Sequence, residues 1–167
     1  MAAINADPDV MRHFPAVQSE EETRGFIERN QAMQAERGHC YFAAELRATG
    51  EVVGFIGLAY QDYEADFTPC VDIGWRLSPK VWGKGLATEG ARACLDFAFN
   101  DLRLAEVVAI AVLANTPSIR VMEKIGMKHK GTFMHPALAD FPKLKKCVLY
   151  RLEHTSCRSG FSPNPET

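Results

Sequence analysis

The chain has no apolar run near the ~20 residues that a membrane-spanning helix needs; the longest, such as Val107–Ala114, are far shorter. Its start, MAAINADPDV, has neither the basic flank nor the apolar stretch of a secretory signal. Charge of one sign is missing as well. The 19 basic and 21 acidic residues leave a net charge of −2, so no basic footprint for nucleic acid exists. The five cysteines form no C-x-x-C pair and no zinc-like spacing, and their odd number argues against a disulfide scaffold. Cys70, Cys94 and Cys147 lie in apolar segments, where cysteine serves as a small core residue, and a reducing cytoplasm is the expected compartment. No metal is expected. No repeat and no Gly/Ser- or Pro-rich linker divides the chain, so one domain is expected over residues 1–153, with 154–167 a polar, loose tail. What is present suits that: 167 residues, 47% hydrophobic and 24% charged, can bury about 70% of the unfolded surface.

Ser19, three residues before Glu22, predicts a capped helix with Phe26, Ile27 and Met33 inward and Gly38 at its end. Two strands follow, Tyr41–Arg47 and Val52–Ala59, joined by Ala48-Thr49-Gly50-Glu51. Over Cys70–Leu77 the residues Val71, Ile73, Trp75 and Leu77 alternate with Cys70, Asp72, Gly74 and Arg76, a strand with two unlike faces. From Leu86 to Asn100 the polar residues Glu89, Arg92, Asp96 and Asn100 form one narrow stripe, so that helix packs most of its circumference on a sheet. Val107–Leu113 reads as a central strand, and Asn115-Thr116-Pro117 opens a helix that stops at Gly126. Strands near Met127–Met134 and Lys145–Glu153 close a mixed α/β (α+β) fold around one sheet. His13, His39, His129 and His154 read as surface residues.

The strand–loop–helix unit at 70–99 carries the first chemical signal. Glycines at 83 and 85 let backbone approach a ligand, and the new helix offers unpaired N–H groups. The dinucleotide and P-loop fingerprints both fail, because Thr88 stands where the first needs glycine and Gly85 where the second needs Ser or Thr. By itself the unit is either a phosphate cradle or a tight turn.

The stretch NTPSIRVMEKIGM, with WRLSPKVWGKGLATEGA before it, resembles the GNAT superfamily of N-acetyltransferases. The likeness is strongest to the branch of the ribosomal-protein alanine N-acetyltransferases and covers roughly residues 4–152. It implies a mostly antiparallel central sheet flanked by helices, with acetyl-CoA as co-substrate and an amine as acceptor. It also implies that the strand Cys70–Leu77 splays from Glu106–Leu113, with the pantetheine arm in the gap. Backbone partners would then come from Trp75, Arg76 and Leu77. Trp82, Gly83, Lys84, Gly85, Leu86, Ala87 and Thr88 would hold the pyrophosphate, with the Lys84 side chain either on phosphate or in solvent.

Acetylating an amine means removing a proton from a group of pKa near ~10, stabilising an oxyanion, and easing a thiolate away. Many members place a tyrosine seven residues after the asparagine for the last task; here Met122 stands there and cannot donate. The resemblance therefore gives thiolate stabilisation to Ser118, with Asn115 holding the pantetheine or capping the helix. Asp72 and His135 are the candidate bases, each with a plain structural role as the alternative, and a water relay is a third route. The loop Tyr60–Phe67 interleaves three carboxylates with three aromatics, either an acceptor rim or a solvated connection.

Members of the family begin with a strand that is not found here before AAINADPDV, which corresponds to the helix after it. Its absence exposes the next strand as an edge. Either a partner chain covers it, as in a homodimer, or the region is poorly ordered, or the start codon is misassigned. A CoA-binding module without turnover is the alternative to an enzyme.

Overall fold

The computed structural model describes residues 1–154. Of the tail expected at 154–167, residues 155–167 lie outside them, while His154 is held, its N–H donating to Ala105 O and its ring stacked on Phe99. Ser19 and Glu22 form the reciprocal capping box that opens α3 (Glu20–Arg37), and Gly38, at φ 74°, ends it. The inward side of α3 differs from expectation. Ile27 is exposed, whereas Thr23 and Asn30 are buried. Both are spoken for: Asn5 Nδ2 donates to Thr23 Oγ1, and Asn30 Oδ1 accepts from the Tyr41 N–H. The segment before α3 is also two short helices, α1 (Ala2–Asn5) and α2 (Pro8–Met11), rather than one. Pro8 lacks an N–H and cannot continue α1, and the Asp7 carboxylate caps a fresh start.

The strands β1 (Tyr41–Glu45), β2 (Val52–Gln61), β3 (Cys70–Leu77), β4 (Glu106–Val112), β5 (Lys128–Met134) and β6 (Lys146–Glu153) make one sheet in the order β1-β2-β3-β4-β6-β5. Every pairing is antiparallel except β3 with β4. Helix α4 (Leu86–Asn100) packs one face, burying Ala91, Leu95 and Ala98 against Leu58, Ile73, Val107 and Ala109. A Cβ on Gly90 would stand 2.5 Å from Ile56 Cδ1, so a larger residue there would make the end of the Ile56 side chain move aside. Helix α5 (Thr116–Lys124) adds Met122 to the same core. The opposite face of β3, carrying Asp72, Gly74 and Arg76, lies toward α1–α3, where the rings of Phe26, Tyr41 and Phe55 stack.

One expected surface residue is not at the surface. His39 is buried because its Nδ1 is held by Leu58 O at 3.2 Å, which satisfies the ring where the chain turns from α3 into β1.

Candidate active site

β2 runs beside β3 along its whole length, from Gln61 opposite Cys70 to Gly54 opposite Leu77. β4 meets β3 at a single rung, Asp72 with Val108. Beyond it, toward Leu77 and Val112, no further rung joins the two strands. The Ser78 N–H donates to Val53 O, so alternation turns the backbone groups of Trp75 and Leu77 away from β2 and into the fork. On the far prong, Leu113 N donates to Lys146 O of β6, which by the same rule turns Ile110 and Val112 into the fork. Apart from Leu77 O, which Trp82 Nε1 engages, the backbone groups of such an edge suit an extended ligand that carries amides of its own.

Arg76 has other work. Its backbone faces β2, and its side chain runs into the N-terminal helices, where Nη1 donates to Asn5 Oδ1 at 2.8 Å and Gln18 Oε1 at 3.4 Å. The guanidinium lies over the rings of Phe14 and Phe55. Burial lowers its pKa to about 10, still far above neutrality, so it stays charged.

At the open end of β3 the chain makes a short 3-10 turn, Pro79–Val81, and then the glycine loop. Trp82 Nε1 donates to Leu77 O at 2.7 Å, which ties the loop back onto the strand. Gly83 and Gly85 sit at φ 74° and 82°, and a Cβ on either would touch nothing within 4 Å. Here the glycines answer to backbone conformation and to open space, not to a crowded neighbour. α4 starts at Gly85 with no side-chain cap, so the first-turn N–H groups, including those of Leu86, Ala87 and Thr88, point out unanswered. Lys84 is exposed.

Across the fork, α5 begins just beyond the end of β4. Asn115 caps it, with Oδ1 accepting from the Ser118 N–H at 3.3 Å. Ser118 is half-buried in the first turn. Met122, at 1% exposure, is core.

At the closed end of the fork stands Asp72. Tyr41 Oη donates to its Oδ1 at 2.6 Å, and Gln61 Nε2 donates to Tyr41 Oη at 3.5 Å. Burial pushes the carboxyl up to about 6, against the opposing pull of bonds from Tyr41, Gln61 and the Ala59 backbone. Tyr41 is itself held well above the usual phenol range by burial and the Asp72 charge. Tyr41 and Gln61 were not singled out from the sequence. The available signal was Gly74, two residues beyond Asp72 on the same face, whose missing side chain makes room for the Tyr41 ring.

His135 follows the end of β5. Its Nδ1 accepts from the Ala137 N–H at 3.3 Å, and its ring lies tilted against Tyr63 with centroids 4.5 Å apart. Burial lowers its pKa, so the ring is neutral near pH 7 and its one acceptor nitrogen is already engaged. A cavity of about 240 Å³ opens by the first residues of β3 and β4, among Tyr60, Cys70, Leu104 and Glu106. Neither the glycine loop nor Asp72 lines it.

A fork at a parallel rung, a glycine loop and a bare helix start can be compared with known proteins. The family model described as "Acetyltransferase (GNAT) domain" matches residues 1–128. This chain belongs to the GNAT family. An uncharacterized N-acetyltransferase of Bacillus subtilis, YnaD, is 34% identical over 144 residues, covering 86% of this chain and 74% of that protein. The crystal structure of a GNAT-family acetyltransferase from Bacillus anthracis superposes with a TM-score of 0.75 at 31% identity, covering 92% of this chain and 86% of the other. The ribosomal-protein-S5-alanine acetyltransferase of Vibrio fischeri matches with a TM-score of 0.69 at 15% identity, covering 91% and 87%. That last likeness is one of fold alone, so the ribosomal branch is one of several neighbours. GNAT membership makes the chain an acetyl-CoA-dependent N-acetyltransferase.

Proposed function

We propose that the enzyme moves the acetyl group of acetyl-CoA directly onto a primary amine, a protein N-terminus or a small-molecule amine, at the closed end of the β3–β4 fork. The observation that carries this reading is the coincidence of Asp72, its pKa raised to about 6, with the last rung before the strands part. The pantetheine arm lies along the edge formed by Trp75 and the Leu77 N–H, and the pyrophosphate on the N–H groups of the Trp82–Thr88 loop. An ammonium group entering beside Asp72 gives up a proton to the carboxylate, and the freed lone pair attacks the thioester carbon. The carbonyl oxygen takes the negative charge within reach of a backbone N–H of the Trp75–Leu77 edge. The C–S bond then breaks, the electron pair goes to sulfur, where the Ser118 hydroxyl stabilises the thiolate, and the second proton passes from the amine nitrogen to sulfur, leaving the amide and the CoA thiol. Asp72 is the base in this account and His135 is not, because the acceptor nitrogen of His135 is taken.

The homodimer and the cytoplasmic setting stay with this proposal, as does one catalytic domain spanning residues 1–153. A thiol-release assay with acetyl-CoA and a panel of amines and peptide N-termini tests the activity. Acceptor-dependent release is the expected result. Tight CoA binding without release in any of them would establish a binding module instead.

A further inference from the structure

The loop between β2 and β3, residues 62–69, does not behave as a solvated connection. It is braced from within by Thr68 Oγ1, which donates to the carbonyls of Tyr63 and Ala65 and accepts from the Ala65 N–H. Tyr60, just before it, is taken by Arg37, whose guanidinium lies 3.7 Å from the ring centre. Tyr63 and Phe67 turn instead toward the end of β5. Phe67 meets Phe133 edge-on at 4.9 Å, Tyr63 lies 4.5 Å from the His135 ring, and Phe133 and His135 are 5.8 Å apart. Four rings from two elements thus close a circuit, and all four are half-exposed.

Within this circuit Tyr63 Oη is buried and has no hydrogen-bond partner. Burial, and after it the charges of Cys70, Asp72 and Cys147, hold this phenol above its usual range, and the loop leaves β2 at Gln61, whose Nε2 donates to the Tyr41 hydroxyl bonded to Asp72. A buried hydroxyl without a partner is costly to keep, unless a ligand supplies the partner. The same loop carries Asp62, Glu64 and Asp66, all exposed, which draw a cation toward the rings.

We propose that the acceptor is a primary amine on an aryl or bulky hydrocarbon group, an arylalkylamine in type. Its apolar part lies on Phe67, Phe133 and His135, and its nitrogen lies between Tyr63 Oη and Asp72. The reading rests on the acetyl transfer proposed above and adds the class of acceptor. Tyr63 contributes the hydrogen bond that orients the amine, and the rings select against acceptors with nothing to place on them.

The test uses the whole chain with acetyl-CoA, and phenethylamine, ethylamine and spermidine as acceptors, followed by thiol release. Phenethylamine should exceed both others in kcat/KM by roughly tenfold or more, the discrimination expected of a filled apolar pocket. Tyr63→Phe keeps the ring and should raise the KM for phenethylamine about tenfold while leaving the KM for acetyl-CoA in place. Phe133→Leu, chosen to preserve folding, should narrow the phenethylamine-to-ethylamine ratio severalfold. Spermidine or ethylamine as the better acceptor overturns this inference and leaves the transfer reaction standing, and so do a Tyr63→Phe variant with an unchanged amine KM and an unchanged ratio in Phe133→Leu. Thiol release with none of the three amines overturns this inference, and silence across the wider amine and peptide panel overturns the transfer reaction with it.

Discussion

Tyr41 on β1 and Asp72 on β3, with β2 between them, are joined by a 2.6 Å hydrogen bond from phenol to carboxylate. The bond opposes burial: it favours the charged carboxylate, while the surroundings favour the protonated one. Removing it in Tyr41→Phe should raise the Asp72 pKa by about one unit, the worth of a hydrogen bond to a charged group. The acidic limb of the kcat/KM profile should then move to higher pH, with activity recovering in alkaline buffer. A uniform loss with no displacement of the limb would assign Tyr41 to packing alone.

Gly83 and Gly85 hold left-handed backbone in open space, so valine at either position strains the loop without meeting a neighbour. The new side chain would occupy the space proposed for phosphate oxygens. Gly83→Val and Gly85→Val should fold yet lose CoA affinity by tenfold or more, as measured by calorimetry. Unchanged affinity in folded variants would move the pyrophosphate elsewhere.

Ser118 stands one turn into α5, and the residue one turn further on, Met122, is sealed in the core. Ser118→Ala should lower turnover by roughly tenfold to a thousandfold while acetyl-CoA affinity holds, since charge on sulfur develops only as the bond breaks. Single-turnover kinetics with a good acceptor reads this directly. A loss of acetyl-CoA affinity at full turnover would make the serine a binding residue.

Asp72 also links pH to stability. Its carboxyl holds a proton up to about pH 6 in the folded protein, against an ordinary value of 3.8. Between those values the native state binds more protons than the unfolded chain, so stability falls as pH rises through the window and stays lowered above it. Asp72→Asn removes that dependence and still accepts the Tyr41 hydrogen bond. Thermal unfolding should show the variant gaining on the native sequence between pH 4 and pH 8. A variant that loses ground at pH 8 would mean the carboxylate stabilises the fold.

Local chemistry was legible in the sequence. The Ser19–Glu22 box, the alternation over 70–77, the bounds of α4 and the Asn115 cap all depend on neighbours a few residues away. The site was legible only through resemblance, because the fork depends on where β4 leaves β3, and no spacing encodes that separation. Tyr41 and Asp72 lie 31 residues apart and meet only through the register of β2. The break at Pro8 has a local cause, proline after a capping aspartate, yet the family resemblance gives one helix across it. His39 shows the reverse case, a polar residue placed at the surface by type and drawn inside by one carbonyl.

The account turns on Asp72 as the group that accepts the amine proton, and the pH dependence of acetyl transfer in Asp72→Asn tests it most directly. The native enzyme should show kcat/KM rising through about pH 6 as the carboxyl ionises. In Asp72→Asn that limb should vanish and the rate should fall by roughly a hundredfold to ten-thousandfold, the usual worth of a positioned base. Acetyl-CoA affinity should stay unchanged in the variant. An Asp72→Asn enzyme that keeps both its rate and the limb near pH 6 would contradict the account.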